Sequence, residues 1–169
     1  HDDVVNLVAS SPDGKYVVSG SYDGTVRVWE SGNGQEVARM THNGQVYALA
    51  FTLDGKYVLG SDYNSTHVWN TLNGQEITHL IHEDGVQSID FSSDGKYIVS
   101  GSPDGAVQIW EVSTGQEIAR MIHDDSVSSV AFSADSKYVV SGSMDGTARI
   151  WNAQTGQEMA RMTHDNVVQ

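Results

Sequence analysis

Three stretches set a histidine beside carboxylates: His1-Asp2-Asp3, His82-Glu83-Asp84 and His123-Asp124-Asp125. An imidazole nitrogen next to carboxylate oxygens is a donor set for a divalent cation, or the core of a general-base pair. Other chemistry is harder to find. There is no Gly-x-Ser-x-Gly elbow to present a serine nucleophile and no glycine loop of the phosphate-cradling kind. The absence of cysteine excludes a disulfide framework and any thiolate metal site. Carboxylate pairs for glycoside hydrolysis are not excluded by spacing, but the aspartates of the Asp-Gly pairs already have a turn role.

The positions of the histidines decide between chemistry and scaffold. They recur at 1, 42, 82, 123 and 164, in step with tryptophans at 29, 69, 110 and 151, which are 40, 41 and 41 residues apart. Gly-Gln-Glu returns in the same register at Gly34, Gly74, Gly115 and Gly156. Self-similarity at a period near 41 marks a repeat architecture. The four repeats are 1–41, 42–81, 82–122 and 123–163, and 164–169 (HDNVVQ) restates the opening HDDVVN as the start of a fifth. A histidine that returns at one register position is expected to be a hydrogen-bonded structural imidazole, so neither a catalytic residue, a metal site nor a cofactor is expected.

Composition agrees with a strand-built repeat. Valine (21) far outnumbers leucine (6), and β-branched side chains suit a pleated, half-buried surface. Each repeat reads as four short strands. An apolar alternating run (Val46 to Phe51, Val86 to Phe91, Val127 to Phe132) leads to a turn of the Ser-x-Asp-Gly-Lys kind. A second strand such as Lys15 to Ser21 follows, then an Asp-Gly turn at Asp23, Asp104 or Asp145 that pairs its neighbours antiparallel. A third strand ends at the tryptophan, and Gln35 to Met40 typifies the fourth. Four strands in about 41 residues leave no room for a helix, and one such meander cannot cover both its faces, so repeats must stack. No apolar run is long enough to span a bilayer as a helix. Twenty-two acidic residues against nine Lys and Arg, a net charge of −13, argue against a nucleic-acid partner. The opening at His1, without methionine or signal-like stretch, reads as a trimmed end.

The period, the histidine opening each repeat, the Ser-Gly-Ser-x-Asp-Gly stretch and the tryptophan six residues after that Asp resemble WD40 repeats over the whole chain, most of all bacterial proteins with highly similar blades. The resemblance implies an all-β fold of four WD40-like β-propeller blades, each a four-stranded antiparallel sheet. It also implies the family's structural tetrad at His1, Ser19, Asp23 and Trp29, at His82, Ser100, Asp104 and Trp110, and at His123, Ser141, Asp145 and Trp151. In the second repeat His42 and Trp69 keep their places, but the stretch between Lys56 and Trp69 is one residue short and has no Asp-Gly. Asp62 and Ser61 are its candidate substitutes. Ser10 stands where the other repeats have Phe51, Phe91 and Phe132, so the first repeat is expected to bury less apolar surface there.

Family members usually close seven or eight blades into a ring, so four imply about half a circle, completed by a second identical chain into an eight-bladed ring. The expected function is a non-enzymatic protein-interaction scaffold that self-associates. The other reading is a half-propeller, engineered or a segment of a longer protein, with no partner but itself. Positions that vary between repeats at the channel's binding end are Tyr22, Pro103 and Met144 before the turn Asp, and Asn6, Tyr47, Gln87 and Ser128 five residues after the histidine. These are the candidates for contact with a peptide or protein, the tyrosines first. Asp2, Asp3, Glu83, Asp84, Asp124, Asp125 and Asp165 are candidates for an acidic collar at one channel mouth that attracts a basic peptide. The expected location is the cytoplasm.

Overall fold

The structure is a computed structural model and describes residues 1–164. Asp165, proposed for the collar, and most of the fifth repeat's start lie outside them. Among the described residues, sixteen strands form four antiparallel sheets, each built from four consecutive strands in chain order. The first blade holds β1 (Val5–Ser10), β2 (Tyr16–Ser21), β3 (Thr25–Glu30) and β4 (Glu36–Thr41). The second holds β5 (Ala48–Phe51), β6 (Tyr57–Ser61), β7 (Ser65–Asn70) and β8 (Glu76–Ile81). The third holds β9 (Ser88–Phe91), β10 (Tyr97–Gly101), β11 (Ala106–Glu111) and β12 (Glu117–Ile122), and the fourth β13 (Val127–Phe132), β14 (Tyr138–Ser143), β15 (Thr147–Asn152) and β16 (Glu158–Thr163). No helix among the described residues is long and apolar enough to cross a membrane.

The turns follow from short-range chemistry. In the first, Ser11 Oγ donates to Asp13 and accepts the Tyr16 amide, while Asp13 also accepts the Lys15 amide. The same ring recurs at Thr52-Asp54-Tyr57, Ser92-Asp94-Tyr97 and Ser133-Asp135-Tyr138. The Ser11 hydroxyl, then the Lys15 amide and ammonium, hold the Asp13 carboxyl down at about 2. Gly14, Gly55 and Gly95 take the left-handed conformation this turn requires, and in the fourth blade the position is Ser136, at φ 57°. The Ser136 hydroxyl bonds the amide and hydroxyl of Ser93 at 2.8 Å each, which holds the strained residue in place.

The chain divides into two compact units, His1–Gly85 and the residues from Val86 on. In each, the inner strand of one blade lies against the first two strands of the blade before it. In the first unit β5 covers β2, burying Val18, Val26, Val28, Val46 and Val58 with Met40 and Trp69. In the second, β13 covers β10, burying Val99, Val107, Ile109, Val127, Val130 and Val139 with Met121 and Trp151. Glycine permits the close approach. A Cβ on Gly101 would stand 2.7 Å from Val127 Cγ1, and one on Gly20 3.0 Å from both Val46 Cγ1 and Leu49 Cδ1.

The second unit adds polar clamps: Ser88 Oγ accepts the Val130 amide at 3.0 Å, and Asp90 accepts those of Phe132 and Phe91 at 2.9 Å. Burial raises the Asp90 pKa, with the two amides opposing it. The first unit has Leu7 and Ala9 at those positions, packed against its core. Ser10 is exposed, whereas Phe91 is buried.

Overpacking makes a test. Gly101→Ala is expected to cost about 1–3 kcal/mol by pushing β13 off β10, read as a lower urea midpoint. An unchanged midpoint would mean the two blades do not meet as described.

Candidate functional site

The chemistry-bearing residues lie where the loop opening a blade meets that blade's second and third strands. The fourth blade shows the full arrangement. Trp151 Nε1 donates to Ser141 Oγ at 2.7 Å, Ser141 Oγ lies 2.7 Å from His123 Nε2, and His123 Nδ1 lies 2.9 Å from Asp145 Oδ2. Indole can only donate, so the serine hydrogen is left to donate to Nε2, and the imidazole proton sits on Nδ1 facing the carboxylate. The relay runs one way, from indole to carboxylate, with a neutral ring in the middle.

Two further residues complete it. Thr147 Oγ1 donates to Asp145 at 2.6 Å and lies 3.2 Å from His123 Nδ1. Arg149, 4% exposed, donates to Asp145 at 2.8 Å, to Thr147 at 3.0 Å and to the Ile122 carbonyl at 3.0 Å. Asp145 also accepts the Asp124 amide, which ties down the loop beginning at His123. Burial alone would raise the Asp145 pKa, but Thr147, His123 and the two amides outweigh it and hold the carboxyl well below the usual range. Burial also depresses His123, against the opposing pull of its bond to Asp145.

The first blade repeats the set with looser contacts. Trp29 Nε1 donates to Ser19 Oγ at 2.8 Å and His1 Nε2 is 2.7 Å from that oxygen, while His1 Nδ1 lies 2.7 Å from Thr25 Oγ1 and 3.5 Å from Asp23. In the third blade Trp110 Nε1 donates to Ser100 Oγ at 2.9 Å, and Asp104, exposed, accepts the Ala106 amide of its turn. Ala106 and Gln108 replace the threonine and arginine of the other two blades. His82 belongs to the first unit, where its Nε2 lies 3.0 Å from Thr66 Oγ1.

The second blade departs most. Gly60 occupies the place of Ser19, Ser100 and Ser141, so no hydroxyl stands between Trp69 and His42. Asp62 takes over the turn carboxylate, accepting the amides of Asn64 and Ser65 and the Ser65 hydroxyl. Ser61 is not the missing serine: its hydroxyl bonds Thr66 at 2.7 Å. The deletion in the turn shifts the apparent alignment, and pairing of Gly60 with His67 places the glycine in the serine's row.

Both ring nitrogens of His1 and of His123 are engaged, and the acidic neighbours Asp2, Asp3, Glu83, Asp84, Asp124 and Asp125 are exposed. Among the described residues no three His, Cys, Asp or Glu side chains are grouped to hold a metal ion. The positions proposed for partner contact are mixed. Tyr22, Tyr47 and Met144 are 39, 45 and 42% exposed, and Gln87 is exposed too. Asn6 donates to the Val46 carbonyl at 3.0 Å and Ser128 to the Gly142 carbonyl at 3.2 Å, while Pro103 is half-buried.

Four-stranded antiparallel sheets of this order, with a histidine-to-tryptophan relay in the first and fourth, define β-propeller blades. Residues 1–30, 34–70, 74–111 and 115–152 match the WD40 family, described as WD domain, G-beta repeat, and the chain belongs to that family. It is 42% identical over 38 residues to Ribosome assembly protein 4 of Saccharomyces cerevisiae, covering 22% of this chain and 7% of that protein. It is 38% identical over 52 residues to Small ribosomal subunit protein RACK1 of Brassica napus, covering 31% of this chain and 16% of that one. The chain thus spans a small part of these relatives. The crystal structure of the computationally designed Ika8 protein superposes on 99% of this chain and 52% of its own, at 34% identity and a TM-score of 0.89.

Ser141→Ala removes the relay's middle member and leaves the His123 acceptor and the Trp151 donor unmatched, an expected loss of about 1–3 kcal/mol, measured by urea unfolding. The sign of the pH dependence follows from the shifts. His123 is held below its unfolded value, so its contribution is complete above about pH 6.5 and shrinks as pH falls beneath it. Asp145 is depressed as well, so its contribution is present above about pH 4 and is lost on further acidification. Stability should therefore decline in two stages on acidification, and Asp145→Asn should remove the second stage at this blade.

Proposed function

We propose that the chain is a non-enzymatic protein-interaction scaffold, and that two identical copies cover each other's free blade faces to close a propeller ring of eight blades. A contrast between equivalent residues carries the reading. Val18 in β2 and Val99 in β10 are 0% exposed, whereas Val140, their counterpart in β14, is 40% exposed. Met40 and Met121 are buried, whereas Met162 is 41% exposed. Val46, just before β5, and Val127 at the start of β13 are 0% exposed, whereas Val5 in β1 is 46% exposed and Val8 is 71% exposed.

Within each unit, the face that bears Val18 or Val99 is the one the following inner strand covers. The fourth blade therefore offers the kind of face on which an inner strand packs, and β1 carries side chains of the kind such a strand presents. A second copy of the chain supplies both halves of that match, and twofold symmetry uses each twice. Uncovered apolar faces of this kind mark association surfaces. The likeness to about half of the Ika8 chain and membership of the WD40 family support this reading.

A partner peptide or protein is proposed to bind where Tyr22 and Tyr47 stand exposed, with Asn6, Gln87, Ser128, Pro103 and Met144 as the other candidate contacts. Both tyrosines belong to the first unit, and an exposed aromatic with a polar tip is the residue type most often found at interaction hot spots. The exposed carboxylates on the histidine loops would favour a basic partner by a salt-dependent field.

Light scattering at micromolar concentration is expected to give twice the chain mass of 18.3 kDa. Val140→Glu, on the free face, is expected to give the mass of one chain while leaving the strand circular-dichroism signal in place. A single-chain mass for the parent protein would overturn the pairing.

A further inference from the structure

The second blade has replaced fixed charges with titratable ones. In the first blade Arg27 and Arg39 line the sheet against Glu36, and in the fourth Arg149 and Arg161 do so against Glu158. The equivalent residues of the second blade are His67 and His79, beside Glu76. His67 Nδ1 lies 2.9 Å from Glu76 Oε2 and its Nε2 3.1 Å from Ser65 Oγ, which reproduces the arginine's bridge with an imidazole. His67 stacks on His79 at 5.1 Å and on Trp69 at 5.4 Å.

Against that stack sits His42, whose side chain is fully buried. Its ring meets His67 edge-on at 4.7 Å and Trp69 at 5.0 Å, in the space beside Gly60, where a Cβ would stand 2.9 Å from Nε2. Neither nitrogen has a hydrogen-bond partner. The charged groups that face it are His67 from β7, Asp62 from the β6–β7 turn, with Oδ2 3.5 Å from Nδ1, and Glu76 at the start of β8 beyond His67. From the first blade, β3 brings the apolar Val26 to this spot.

We propose that the second blade is an acid-labile joint: the gain of a proton drives His42 out of its pocket and frees the loop that fastens the second blade to the first. The segment from His42 to Val46 makes that attachment. The His42 amide bonds the Gly24 carbonyl at 2.8 Å, the Val46 amide the Ser21 carbonyl at 3.2 Å, and the Val46 carbonyl accepts from Asn6. A Cβ on Gly24 would meet the carbonyl oxygens of Gly44 and His42 at 3.0 and 3.1 Å, so the loop lies directly on the first blade's turn.

The physical argument is one of solvation. A buried imidazolium needs acceptors or water: Asp62 Oδ2, 3.5 Å from Nδ1, is too far for a good hydrogen bond and Nε2 has no hydrogen-bond partner, so the ring gains its proton most cheaply by leaving. Burial first, and the neighbouring His67 second, depress the His42 pKa to about 4, while Asp62 and Glu76 pull the other way. The folded value lies below the unfolded one, so the joint is tight above about pH 6.5 and loosens as pH falls toward 4. The fourth blade has the contrasting arrangement, since His123 donates to Asp145 and accepts from Ser141 and can keep its place.

Amide hydrogen exchange at pH 7.5 and pH 5.0, corrected for the intrinsic rate, is the test. The amides of His42, Val46 and Tyr47 are expected to lose at least tenfold protection on acidification, while the His123 amide, bonded to the Gly105 carbonyl, loses less than threefold. In His42→Leu, or in His42→Gln should leucine not fold, the selective loss is expected to disappear. Equal loss in the second and fourth blades, no loss in either, or selective loss that persists in the folded variant would each overturn the proposal.

Discussion

Everything in this protein depends on one constraint: a blade is a thin sheet with apolar side chains on both faces, and each face must be covered. Val18, Val99 and Val140 are the same residue in the same place on the first, third and fourth sheets, and what distinguishes them is only whether another strand lies on top. The constraint accounts for the glycines at Gly20 and Gly101, which let the next inner strand approach, and for the valine-rich inner strands that do so. On the proposed pairing, association would continue folding by the same contacts, with no surface of a new chemical kind.

The histidine-to-tryptophan relay has a different task. Its hydrogen bonds are individually modest, and their value lies in leaving no buried donor or acceptor unmatched where a loop crosses a sheet. In the fourth blade a buried arginine locks the turn carboxylate as well, and the loop amide of Asp124 is tied to it. The same framework without its serine leaves the His42 ring without a hydrogen bond. On the proposal above, a relay that is complete in one blade and interrupted in another would give loops of one fold unequal resistance to protons.

Much of this was legible in the sequence because the repeat is its own alignment. The period located all four sheets, and the columns of His, Ser, Asp and Trp lay in register in three repeats. Other parts were hidden for identifiable reasons. Thr25 and Thr147, with Arg27 and Arg149 two residues further on, also form columns, but their role is visible only once the turn folds them against Asp23 and Asp145. The one-residue deletion between Lys56 and Trp69 left the tetrad row of the second repeat ambiguous, with Ser61 as the nearby hydroxyl, and strand pairing puts Gly60 in that row. Ser136 in a left-handed turn could not be anticipated from the strand pattern, because its compensation comes from Ser93 in a different blade.

If covering both faces of every blade is what stabilises the protein, its stability must depend on how many copies are present. The direct measurement is the thermal unfolding midpoint over a wide range of chain concentration. Linked association predicts a midpoint that rises steadily with concentration, lost when Val140 is replaced by glutamate. A midpoint that stays constant over the whole range would contradict the account, since the exposed faces of the first and fourth blades would then be stable uncovered.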